Sequence, residues 1–92
     1  MEQRPAPEEL LEFPCDYLFK AFGPNDPDGF FAQAVRSAVA AVVPVHLDAV
    51  KLNRSANGTY LCVTVLVRLH NYAQLSAIYT ALRQVEGLKY LL

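Results

Sequence analysis

Residues 47–92 read LDAVKLNRSANGTYLCVTVLVRLHNYAQLSAIYTALRQVEGLKYLL, and their periodicity decides the fold. Leu47 to Asn53 reads as a strand, with Val45 as its earliest start. Val45, Leu47 and Ala49 share one parity and Val50 and Leu52 the other, so a bulge near Ala49-Val50 is expected to switch the buried face. Asn57-Gly58 is a strong hairpin signal, because a type I′ turn needs positive φ at both central residues. From Thr59 to Leu69 the chain alternates. Leu61, Val63, Val65, Val67 and Leu69 take one face; Tyr60, Cys62, Thr64, Leu66 and Arg68 take the other. Its length and β-branching mark a central strand. Tyr72 to Glu86 is helical, opened by a capping-box pair, Asn71 and Gln74. Leu75, Ile78, Leu82 and Val85 form its buried stripe, with Tyr79 beside it. Gly87 stands where a left-handed residue is wanted, and Leu88 to Leu92 is a last strand.

Upstream, Asp16 to Phe22 alternates as a strand, with Tyr17, Phe19 and Ala21 on one face and Leu18, Lys20 and Phe22 on the other. Gly23-Pro24 is expected to stop it. Asp26-Pro27 reads as an N-cap followed by proline at the first helical position. Phe31, Val35, Ala38 and Val42 then form a core stripe flanked by Phe30 and Ala34, and Pro44 closes the helix.

The order is therefore β-α-β-β-α-β. Two such halves with right-handed crossovers interleave into a ferredoxin-like α+β sandwich. The expected sheet is antiparallel, four-stranded, in order 4-1-3-2, with both helices on one face. The core is expected where the helical stripes meet Tyr17, Phe19, Val63, Val65 and Val67. Residues 10–92 make one domain. Residues 1–9, with Pro5 and Pro7, are expected to be a flexible lead-in, and Leu10, Leu11 and Phe13 a short turn against the domain edge, ended by Pro14.

Composition bounds the function. A 92-residue chain is one small domain, and covering its apolar surface with a partner would stabilise it. Hydrophobic residues at 53% exclude disorder for the bulk of the chain. A net charge of -1 argues against general nucleic-acid binding, which needs an excess of Lys and Arg to displace counterions. No apolar run approaches the roughly 18 residues of a membrane helix, and no basic region precedes an apolar run as in a secretory signal. With Cys15 and Cys62 its only cysteines, the protein is expected to be cytoplasmic and reduced.

The segment Leu10-Leu11-Glu12-Phe13-Pro14, followed by Phe19-Lys20 and Gly23, resembles the opening of the YbeD-like family of uncharacterised bacterial proteins. The Asn57-Gly58-Thr59-Tyr60 strand entry, Ile78-Tyr79-x-x-Leu82 and the hydrophobic stretch ending at Leu92 match the same family. The connection from Val50 to Tyr60 looks a residue or two longer than usual, which bears on hairpin register and not on fold. The resemblance implies a ferredoxin-like fold similar to the ACT domains that regulate amino-acid metabolism. It implies no established activity and no catalytic residues.

The candidate surface is the sheet face opposite the helices. It is expected to present Leu18, Lys20, Phe22, Tyr60, Cys62, Thr64, Leu66 and Arg68, more apolar than a water-facing sheet usually is. The function expected from it is that of a regulatory or interaction module, pairing through this face or an edge strand with a protein partner or a second copy, and sensing a small metabolite. The alternative is direct ligand binding at the loop Gly23–Gly29, where Gly23, Asn25, Asp26 and Gly29 offer backbone approach. RNA binding ranks below both. Tyr60 lacks the basic-glycine-aromatic pattern of RNA-recognition strands, and Cys62 stands where a second aromatic is needed.

His46, His70 and Asp48, with Cys15 at the same end of the sheet, are the residues from which a metal site could be drawn. Their spacing matches no metal motif, so surface histidines are the ordinary reading and neither a metal nor a cofactor is expected. Cys15 and Cys62 fall roughly 20 Å apart at strand rise, too far to bridge. Cys62 has no evident histidine to activate it. The four glycines form no phosphate-binding pattern. Glu8, Glu9 and Glu12 read as a solvated cluster, and Asp26 and Asp28 as helix-start residues. The chain is expected not to be an enzyme.

Overall fold

The computed structural model describes residues 11–92. The lead-in at residues 1–9 and Leu10 lie outside the described residues; Leu11 and Phe13 are half-buried against the core. Among the described residues the elements are β1 (Cys15–Pro24), α1 (Phe30–Ala40), a 3-10 turn (Leu47–Ala49), β2 (Val50–Arg54), β3 (Tyr60–Leu69), α2 (Tyr72–Arg83) and β4 (Tyr90–Leu91). The sheet order is β2-β3-β1-β4, the expected 4-1-3-2.

The central ladder joins β1 and β3 over their whole lengths, from Cys15 opposite Leu69 to Pro24 opposite Tyr60. Strand β1 therefore runs through Gly23-Pro24 instead of stopping there. Proline donates no hydrogen bond and is tolerated at a strand end. Gly23 is needed for another reason. It is buried, and a Cβ there would run into the ring of Phe31, itself a core residue. The missing side chain is the space the Phe31 ring occupies.

Helix α1 begins later than Asp26-Pro27 suggests. Its N-cap is Gly29, at φ 75, where only glycine sits without strain. Asp26 still serves the helix from outside: its Oδ2 accepts the Phe31 N–H at 3.2 Å. The buried stripe is Phe31, Val35, Val39 and Val43; Ala38 and Val42 are only half-buried. The parity change before β2 is the 3-10 turn at Leu47–Ala49 and not a bulge, and it leaves Leu47 exposed. Its effect is the expected one, since Val50 and Leu52 then pair with the core residues Val65 and Val63.

The β2–β3 connection is not a type I′ turn. Only Gly58 has positive φ, at 70°, and no non-glycine residue does among the described residues. Ser55 closes the loop instead. Its N–H donates to the Tyr60 carbonyl at 2.9 Å, its carbonyl accepts from Gly58 N–H at 2.9 Å, and its Oγ accepts from Tyr60 N–H at 3.1 Å. Four residues, Ala56 to Thr59, thus span the strands.

Helix α2 is capped as read: Asn71 Oδ1 accepts the Gln74 N–H at 2.9 Å. The return contact goes one residue further back, Gln74 Oε1 accepting from His70 N–H at 2.8 Å. Leu75, Ile78 and Leu82 are buried with Val85 beside them, and the helix ends at Arg83, short of Glu86. Gly87 takes φ 89 in the following turn. The last strand is short, but its hydrogen bonds extend past it: Lys89 N–H donates to Phe22 carbonyl at 2.7 Å and Leu92 N–H to Lys20 carbonyl at 2.8 Å. Both helices cover one face, over a core of Phe19, Ala21, Leu61, Val63, Val65, Val67 and Leu69.

Two stability predictions follow from these contacts. Gly23→Ala is expected to cost about 1–3 kcal/mol through overpacking against Phe31, and urea unfolding followed by circular dichroism reads the loss. Asn71→Ala removes the α2 cap and is expected to cost about 1 kcal/mol, with Asn71→Ser recovering most of it in the same assay.

Candidate functional site

The register of β1 on β3 assembles the open face from the residues read for it. Leu18 pairs with Leu66, Lys20 with Thr64 and Phe22 with Cys62. Leu18 is 50% and Leu66 45% exposed, although both sit on central strands. At one end Arg68 lies across from Asp16, and the two make an exposed ion pair at 3.2 Å. Such a pair adds little stability.

Pairing with β2 adds residues the sequence reading did not include. Lys51 lies beside Thr64 and Asn53 beside Cys62. Lys51, Thr64 and Lys20 therefore form one row across the sheet, a hydroxyl between two ammonium groups. Neither lysine has an ion-pair partner among the described residues. A cleft of about 310 Å³ runs over this row, lined also by Leu18, Leu66, Asn53 and the carboxylate residue Asp48.

The opposite end is aromatic. Tyr90 of β4 pairs with Phe22, and their rings stack at 4.5 Å with 21° between planes. Together with Tyr60 they line a cleft of about 510 Å³ that Lys89 and Ser55 complete. Tyr90 was missing from the sequence-derived face. The signal was its parity: Leu91 turns to the core, so Tyr90 must take the other side.

His46, His70 and Asp48 do come together, in a cleft of about 450 Å³ beside Asp16 and Arg68. Cys15 does not line it, and no group of three or more His, Cys, Asp or Glu suited to a metal occurs among the described residues. Cys15 and Cys62 are separate half-buried thiols at opposite ends of the β1–β3 ladder.

The loop Gly23–Gly29 is occupied by its own contacts. Asn25 Nδ2 donates to the Gly58 carbonyl at 2.9 Å, and Asn25 Oδ1 accepts from Arg54 Nε at 3.1 Å, which clips the loop to the β2–β3 hairpin. Gly23 packs on Phe31, Gly29 caps α1, and Asp26 holds the helix start through Oδ2, while its Oδ1 is buried without a hydrogen-bond partner among the described residues.

A further cleft of about 570 Å³ lies on the helical side, between Leu11, Tyr17, Tyr72 and α2. Its polar feature is the Tyr17–Tyr79 hydroxyl pair at 2.8 Å. Burial, then that hydrogen bond, pushes the Tyr79 phenol well above its ordinary value, against the opposing pull of Arg83. Tyr79 stays neutral there and packs edge-on to Phe19, as a wall of the core.

The family model described as "Protein of unknown function (DUF493)" matches residues 8–92. The chain is 35% identical over 79 residues to the UPF0250 protein RSc0326 of Ralstonia nicotianae, covering 85% of this chain and 79% of that one. It is 34% identical over 82 residues to a UPF0250 protein of Shewanella sediminis, covering 89% and 90%. Among solved structures, the solution structure of HP0495 from H. pylori superposes with a TM-score of 0.68 at 14% identity, covering 100% and 98%. The ACT domain from the GTP pyrophosphokinase of Chlorobium tepidum superposes with a TM-score of 0.60 at 19% identity, covering 85% and 97%. At such identities the structural likeness speaks for the fold alone. No helix among the described residues is long and apolar enough to cross a membrane. The chain belongs to the DUF493 family, the UPF0250 or YbeD-like proteins, and carries an ACT-like form of the ferredoxin-like fold.

Proposed function

We propose that the protein is a non-catalytic regulatory module that works by docking a partner protein on its open sheet face. The observation that carries this reading is the row Lys51–Thr64–Lys20 set between the half-exposed Leu18 and Leu66. Apolar side chains held on central strands give a rigid surface whose burial is favourable. The two unpaired ammonium groups in its middle specify what can cover it: an apolar surface carrying a carboxylate.

The same row disfavours a second copy of this chain as the occupant. Face-to-face pairing would bring four lysines together, and like charges across an interface cost several kcal/mol. The edges are poorer docking strands. Outer strand β2 is five residues long and carries Lys51 and Arg54, the features that blunt edge pairing, and β4 is two residues long. Sensing of a metabolite would then act by changing this face or its access. The Asn25 side chain of the Gly23–Gly29 loop is already used within the fold, so direct binding through it would first have to break that clip, although the buried Asp26 Oδ1 has no hydrogen-bond partner among the described residues.

The test begins with the purified chain, expected to sediment as a monomer. Partners crosslinked in cells of the source bacterium are identified by mass spectrometry, and each is then purified and titrated against the labelled chain. The expected result is amide shifts centred on Lys20, Thr64, Lys51 and Leu66. Affinity is expected to fall about tenfold or more in Lys20→Glu/Lys51→Glu, a loss of at least ~1.4 kcal/mol. A dimer abolished by Leu66→Glu, or a complex mapped to the helical side, refutes the proposal.

A further inference from the structure

We propose that the aromatic cleft at the β3 entry is a binding site for a free nucleoside monophosphate, a planar aromatic ring carrying one phosphate. Three aromatic side chains from three strands line it: Phe22 of β1, Tyr60 of β3 and Tyr90 of β4. Tyr60 is 46% and Tyr90 58% exposed. Phe22 and Tyr90 are pre-stacked, so one wall is rigid before any ligand arrives. On β3, Tyr60 is two residues from Cys62, the partner of Phe22, and so stands diagonally across from it. Diagonal neighbours on one sheet face stand roughly 7–8 Å apart. At that backbone spacing the two aromatic side chains are within reach of a common planar ligand.

Charge selects among planar ligands. Lys89 lines the cleft and no Asp or Glu does. A cluster of aromatics without a cation beside it would suit a quaternary ammonium group; Lys89 reverses that preference and favours an anion attached to the ring. Cleft volume and the net charge of -1 limit the ligand to a single nucleotide. A polymer would need a cationic track to follow its backbone, and one lysine does not make a track. The site is independent of the Lys51–Thr64–Lys20 row, so it and the docking surface stand or fall separately.

The experiment is a titration of the full chain, followed by ¹H–¹⁵N correlation spectra, with AMP, GMP and UMP. Adenosine, inorganic phosphate and a short single-stranded oligoadenylate are titrated in parallel. The expected result is saturable shifts at Phe22, Tyr60, Lys89 and Tyr90 with at least one monophosphate, and weaker binding of adenosine and of phosphate alone. Tyr60→Ala and Tyr90→Ala are each expected to weaken binding about tenfold. Two variants on different strands keep the test open if one loosens β4, and spectral dispersion shows which remains folded. Lys89→Ala should reduce affinity for the monophosphate and leave that for adenosine unchanged, while Thr80→Ala on the helical side should change neither. No shift at the cleft with any monophosphate, binding unaffected in both tyrosine variants, or tighter binding of the oligonucleotide than of AMP overturns the assignment.

Discussion

The antiparallel ladder between β1 and β3 is the constraint on which the rest of the molecule depends. Ten consecutive positions pair without interruption, from Cys15 with Leu69 to Pro24 with Tyr60. Side chains on a strand alternate with period two, so this register settles two surfaces at once. One parity puts Phe19, Ala21, Val63 and Val65 under the helices with no exposure at all. The other parity puts Leu18, Lys20, Phe22, Cys62, Thr64 and Leu66 on the open side. A slip by one residue would bury Lys20 and expose Phe19. The core holds the open face in place, because both belong to the same ladder.

Everything else is fitted to that ladder. Strand β2 brings Lys51 level with Thr64, and β4 brings Tyr90 level with Phe22. These added residues give the open face its two chemically different regions, a cationic row in the middle and an aromatic cleft at one end. Neither outer strand could do so from its own length; β4 is two residues long and is held by hydrogen bonds to the β1 backbone at Phe22 and Lys20. The open face is thus distributed over four strands, although each contributes only one or two side chains to a given region.

The sequence was legible where periodicity was long and illegible where it was short. The alternation of Thr59–Leu69 and Asp16–Phe22 and the stripe Leu75, Ile78, Leu82 gave fold, sheet order and eight face residues in their observed places. Apart from the phase of the α1 stripe and the end of α2, the readings that needed revision fall in turns. Asp26-Pro27 has the chemistry of a helix start, yet Gly29, with its left-handed backbone, begins α1 and leaves Asp26 to bond in from outside. Asn57-Gly58 has the chemistry of a tight turn, yet Ser55 closes a wider loop, which also supplies the Gly58 carbonyl that Asn25 needs. Gly23-Pro24 looks like a stop, yet its glycine admits the Phe31 ring. In each case a contact or backbone conformation a few residues away outweighed the preference of the dipeptide itself. Tyr90 was missed for a related reason: in so short a strand the face of a residue is set by its neighbour across the sheet.

Net charge averages over a molecule, and here the average conceals the chemistry. A total of -1 is a sound argument against binding a polyanion, because counterion release requires many cations in register. It does not bear on recognition of a single anionic group. Lys20 and Lys51 stand on the open face with no ion-pair partner among the described residues, while Arg68 at the end of the same face is matched by Asp16. The unmatched charges lie next to apolar or aromatic surface, in the middle row and at Lys89 beside the aromatic cleft. An isolated charge within an apolar surface penalises any partner that lacks the complementary group, because docking would strip its water and return nothing. A total charge of -1 disfavours a polyanion. On the proposed reading, three lysines set beside apolar or aromatic surface would favour a carboxylate or a phosphate.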